Sequence, residues 1–116
     1  MNGAMIAFAI VVAWSSSALA EPRWLGCKIK DRSGKEQVFA MVFDDLRNVA
    51  YLLEPGRLVE GSGTSITFQA LRTRFPDFAL TYNRNDGALS VTPPTGGLMS
   101  GECRRIAPPP GAPNPP

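Results

Sequence analysis

Histidine is absent from the 116-residue chain, and with it the commonest general base at neutral pH. Cysteine occurs twice and no lysine follows Lys35, so neither a Cys–His pair nor a downstream S-x-x-K dyad can form. Serines are frequent, but none stands in a G-x-S-x-G elbow. The two cysteines have neither C-x-x-C spacing nor a histidine beside them, which excludes four-ligand zinc. No cofactor and no metal is expected. Charge is also short of one-sided: twelve Lys and Arg against ten Asp and Glu leave a net +2. The nine arginines and three lysines are scattered among the acids, which argues against a nucleic-acid or anionic-membrane surface. Helical periodicity is missing as well. The best helical stretch, Asp45–Leu53, ends early at Glu54-Pro55-Gly56.

The first twenty residues, MNGAMIAFAIVVAWSSSALA, carry no charged side chain. An apolar core from Ala4 to Trp14 leads to Ala18-Leu19-Ala20, with small residues where a signal peptidase needs them. This predicts a signal peptide with cleavage after Ala20. The apolar core is too short for a bilayer span, so no stable membrane span is expected after cleavage, and the protein is expected to be exported, periplasmic or secreted. In that setting Cys27 and Cys103, near opposite ends of the remaining chain, read as a disulfide. Loop-closure entropy assigns a bridge across so long a loop about 4 kcal/mol. Leu25-Gly26-Cys27 also resembles a lipidation box, but Glu21-Pro22-Arg23 and Trp24 interrupt the required pattern.

Residues 21–106 read as one small β-domain. Trp24–Lys30 alternates, with Leu25, Cys27 and Ile29 on one face. Gln37–Phe43 is apolar on both faces, as a covered central strand is. Asp31–Gly34, Pro55-Gly56 and Asn85-Asp86-Gly87 carry turn chemistry, the last being the strongest hairpin signal. Thr64–Leu71 reads as a strand with Ile66, Phe68 and Ala70 facing inward. Phe75-Pro76 interrupts the ladder, Phe78–Asn83 and Ala88–Thr92 pair, and Leu98–Ile106 is the final strand. The fold class is therefore all-β: an antiparallel meander of seven to eight strands, closed or nearly closed into a barrel, its terminal strands linked by the disulfide. Residues 107–116, APPPGAPNPP, hold six prolines. They read as a Pro-rich, extended and disordered tail, with a proline-recognition role as the alternative.

Val59–Phe68, VEGSGTSITF, is the most suggestive stretch. Glycine-rich phosphate loops work by opening a helix, and the residues after Gly63 are strand-like, so a phosphate cradle is excluded. The remaining enzymatic option is a carboxylate hydrolase using Asp44 or Asp45 with Glu54 or Glu60. Adjacent residues of an extended segment point apart, so the stronger reading is that the Asp pair caps a turn.

The small exported β-domain, the terminal cysteine pair and Gly61-Ser62-Gly63 entering a strand together resemble the bacterial inhibitors of c-type lysozyme. That resemblance implies an eight-stranded barrel and a Ser62-bearing loop that enters the lysozyme cleft. The family places a lysine downstream of this serine; here Arg72 or Arg74 would supply the charge, and Glu60 stands beside the loop. Cys27, Asn83-Arg84, Gly87, Leu89, Val91 and Gly101-Glu102-Cys103 also resemble the C…NRxxGxLxV…GxC spacing of short exported proteobacterial proteins, which implies compartment and fold alone. The expectation is a non-catalytic exported domain that binds a partner, such as lysozyme, through Gly61, Ser62, Gly63, Arg72 and Arg74.

Overall fold

A computed structural model describes residues 21–116; the expected signal peptide and the expected cleavage after Ala20 lie outside the described residues. Nine strands follow in order: β1 (Arg23–Lys30), β2 (Glu36–Asp44), β3 (Val49–Glu54), β4 (Arg57–Glu60), β5 (Ser62–Ile66), β6 (Ala70–Phe75), β7 (Phe78–Asn83), β8 (Ala88–Thr92) and β9 (Met99–Ile106). They form one antiparallel sheet in the order β4-β3-β2-β1-β9-β8-β7-β6-β5. All neighbouring pairs are successive hairpins except β1–β9, which joins the two ends of the meander. Cys27 and Cys103 face each other in that pairing and are bonded. The expected all-β, nearly closed barrel with a disulfide between its terminal strands is the fold observed.

The edges of the sheet, β4 and β5, are consecutive in the chain and run in the same direction, so they are two halves of one bent strand. Its first half pairs with β3 and its second with β6. Between them the Gly61 N–H still donates to the Ala50 carbonyl at 2.9 Å. Farther along, Asn48 takes over the role of a ladder. Its side-chain amide donates to the Thr64 carbonyl (2.9 Å), and its Oδ1 accepts from the Ile66 N–H (3.0 Å). Asn48 itself sits at φ +55°, a region Asn tolerates better than other side chains. Asn48→Ala is expected to cost about 2 kcal/mol, from two lost hydrogen bonds and left-handed strain. Asn48→Gly relieves the strain and should cost roughly half as much, with urea midpoints reading both.

The strand count exceeds expectation because Thr64–Leu71 is not a single strand. The Thr67 hydroxyl accepts from the N–H groups of Gln69 (3.2 Å) and Ala70 (3.1 Å), and the Thr67 N–H donates to the Ala70 carbonyl. A threonine offering its side chain this way competes with the ladder and makes a turn. Phe68, expected to face inward, lies at the tip of that turn and is 94% exposed. Arg72–Phe75 consequently belongs to β6, and Pro76-Asp77 forms the two-residue link to β7. Leu98, expected to begin the last strand, precedes it and is exposed.

Alternation elsewhere gives an interior of Leu25, Ile29, Met41, Phe43, Leu52, Leu71, Phe75, Leu80, Leu89 and Val91. Toward one end Phe78 packs at a tilt against Phe39 and edge-on against Phe75, each ring centroid 5.5 Å away. At the opposite end Arg84, in the β7–β8 turn, reaches across the barrel mouth. It makes two bonds to Asp45 in the β2–β3 turn (2.8 and 3.2 Å) and donates to the Thr67 carbonyl, with its guanidinium over the Phe43 ring. Arg23 also pairs with Asp45.

Candidate functional site

Each residue of Gly61-Ser62-Gly63 meets a different physical demand. Gly61 occupies the bend where the strand passes from β3 to β6. A Cβ there would lie 2.1 Å from the Thr73 hydroxyl oxygen and 3.1 Å from the Phe75 ring. Only glycine allows that approach. Gly63 has φ +60° and sits in the β5–β6 irregularity between Ser62 and Ser65. This is the left-handed conformation of a bulge. Beneath the bulge the buried Thr73 hydroxyl is 2.8 Å from that of Thr64, so its one polar atom is satisfied.

Ser62 and Gly63 are exposed but do not project as a loop. Ser62 lies within β5 opposite Arg74, and its hydroxyl donates a long 3.4 Å bond to the Arg74 carbonyl. Any partner would therefore meet Ser62 as part of a sheet surface. Across the outer face, one row runs Ser62–Arg74–Ala79–Thr92 and the next Ser65–Arg72–Thr81–Ser90. The structure thus brings together all five expected binding residues: Gly61, Ser62 and Gly63 on β4–β5, and Arg72 and Arg74 on β6. A shallow depression of about 370 Å³ lies among Ser62, Gly63, Arg72, Arg74 and Thr81. Both arginines are exposed, and neither forms an ion pair among the described residues. Their row neighbours, Ser62, Ser65, Ala79 and Thr81, are small or hydroxylic and carry no charge.

Three of the four carboxylates of the alternative hydrolase reading have other engagements. Asp44 is buried, and its Oδ1 accepts from the N–H groups of Leu46 and Arg47, capping the turn. Asp45 is held by Arg84 and Arg23. Glu54, at the far end of β3 from the Asp pair, binds Arg57. Glu60 is exposed opposite Tyr51. The carboxyl of Asp31 is held below its ordinary range, lowered first by the Ser33 hydroxyl and then by the Lys35 N–H. It belongs to the β1–β2 turn and not to this surface. No cluster of three His, Cys, Asp or Glu side chains able to hold a metal occurs among the described residues.

The sequence pointed to the glycines and arginines but assigned no strand-positioning role to Asn48 and Thr67, which set the position of the strand carrying Ser62. Thr67 was discoverable as a hydroxyl residue followed by polar Gln69. Asn48 had no comparable local signal. No family model, no curated protein and no solved structure matches the chain.

Proposed function

We propose that this chain is a small exported β-domain that acts by binding and not by catalysis, presenting Ser62, Arg72 and Arg74 to an acidic partner. The observation that carries the reading is the pair of exposed arginines standing two residues apart on β6, neither of them in an ion pair among the described residues. Side chains at i and i+2 share a face roughly 7 Å apart, a spacing suited to two neighbouring anionic groups. Ser62 and Thr81 add hydroxyls at the edge of the same depression. The reading as non-catalytic is supported by the engagement of Asp44, Asp45 and Glu54 in turns and ion pairs, by the bonded cysteines and by the lack of histidine. Export is supported by the leader-like first twenty residues and by the disulfide, which persists in oxidising compartments. No helix among the described residues is long and apolar enough to cross a membrane.

Inhibition of c-type lysozyme is the narrower form of this reading, with the cationic pair facing the carboxylates of the cleft. Because Ser62 lies flush in β5, contact would be surface to surface, without an inserted finger. The test is fluorescence anisotropy of a labelled Glu-rich peptide at low salt. Arg72→Ala/Arg74→Ala should weaken binding about tenfold, at roughly 0.7 kcal/mol for each exposed charge. Equal affinity of the double variant and the parent would reject the patch. A lysis assay with the protein in molar excess over c-type lysozyme separates the narrower reading. Inhibition that Arg72→Ala/Arg74→Ala abolishes supports it, and undiminished lysis by the parent removes it.

A further inference from the structure

The outward side of an antiparallel barrel in water ordinarily alternates to polar residues. Here the outward row across β1, β2 and β3 is Trp24–Val42–Tyr51, with exposures of 5%, 0% and 5%. Residues 107–116 supply part of the cover. The Ala112 N–H donates to the Pro109 carbonyl at 3.0 Å, and Gly111 has φ +77°. Pro110 and Gly111 thereby occupy the two central positions of a type II turn. The turn brings Ala112 onto the cluster of Trp24, Val42 and Tyr51, and the Arg47 guanidinium donates to the main-chain oxygen of Pro116. The segment expected to be disordered is thus seen folded back along the sheet.

The same face continues uncovered beyond Pro109 as a groove of about 600 Å³ along Gly26, Val38, Ala40 and Ile106. Val38 is 74% exposed there. Gly26 forms part of the floor, and Ile106 fills the space a Cβ would need, with its nearest methyl 3.1 Å from that position. The rim carries Lys28 and Arg104 together with Glu36 and Glu102, a balance that favours neither an acidic nor a basic occupant. APPPGAPNPP has no charged side chain, and the surface that seats it extends past it.

We propose that the outer face of β1–β3 is a docking surface for extended, uncharged, proline-rich segments, occupied here by the chain's own residues 107–116, which such a partner displaces. Proline-rich chain is already ordered into an extended helix and loses little entropy on docking against aromatic and aliphatic side chains. The tethered segment acts as a built-in competitor, because a short tether places it at an effective concentration in the millimolar range.

The test uses the full chain with Trp14→Phe, so that Trp24 is the single indole. Ala112→Asp places a charge against Trp24, Val42 and Tyr51 and should release the segment. Gly111→Val does so by breaking the turn, without adding charge. Far-UV circular dichroism establishes that the barrel persists in each. Acrylamide quenching of Trp24 should rise at least twofold in both variants. A labelled peptide APPPGAPNPP should bind both at least tenfold more tightly than the parent. Unchanged quenching in both variants overturns the proposal, as does peptide binding that is equal in variants and parent or absent from all.

Discussion

Reduction of the Cys27–Cys103 bridge is expected to lower the stability of the domain by about 4 kcal/mol, the loop-closure value for a span of this length. The cysteines are 76 residues apart, and the topology explains why that span matters. β1–β9 is the one strand pairing among the described residues not made by a local hairpin, and its entropic cost grows with the chain between its partners. The bridge removes that cost from folding by keeping the unfolded ends together. Small domains have a net stability of about 5–15 kcal/mol, so the reduced protein would be marginal. Urea titration should show a lower midpoint with reductant. The m-value should be higher, since an unfolded chain without the cross-link exposes more surface. Folding should also slow, because the longest-range contact must then be found by diffusion. An unchanged midpoint in protein with two titratable thiols would rule out this account.

What could be read from the chain was whatever depends on near neighbours. The alternation from Trp24 to Lys30 gives the face of every residue in β1, and the turn chemistry of Asp31–Gly34, Pro55-Gly56 and Asn85–Gly87 recurs with Gly34, Gly56 and Gly87 all at positive φ. Thr67–Gln69 defeated the same reasoning because Phe68 falls in phase with Ile66, and a hydrophobic residue in phase is indistinguishable from a buried one until the turn is seen. Pro110-Gly111 has the same turn signature as Pro55-Gly56. It was obscured by surrounding prolines whose composition suggests an unstructured segment, and by the unknown availability of a surface to fold onto. The outward cluster beneath it had a trace in the sequence: Gln37–Phe43 is apolar on both faces, and the second face requires a cover. For the candidate site, two glycines announced unusual backbone at Gly61 and Gly63. That Gly61 needs clearance from Thr73, while Gly63 needs a left-handed φ, follows from a closure between β3 and β6 that no local pattern specifies.

Gly101→Ala is expected to cost about 3 kcal/mol or more, at the upper end of overpacking, although this glycine adopts no unusual φ. Gly101 lies opposite Ile29 on β1 and Leu89 on β8. A Cβ would lie 1.9 Å from the Lys28 carbonyl oxygen and 2.8 Å from the Ile29 Cα. Both obstacles are backbone, so no side-chain rotation relieves them, and β1 must move away from β9. Gly34→Ala is the natural control: Gly34 has φ +86° with nothing within 4 Å of its Cβ position, so it incurs backbone strain alone, about 1 kcal/mol. The midpoint loss for Gly101→Ala should be at least twice that for Gly34→Ala. The two effects on β1–β9 should also be coupled, because Cys103 stands two residues from Gly101 and ties β9 to the strand the new methyl pushes away. In the oxidised protein the displacement works against the bridge; in the reduced protein the strands can part more freely. A double-mutant cycle with Cys27→Ala/Cys103→Ala should therefore give a smaller cost for Gly101→Ala when the bridge is gone, by roughly 1 kcal/mol. A cost no greater than that of Gly34→Ala, or strict additivity with loss of the bridge, would show that β1 and β9 have more slack at this point than the contact distances allow.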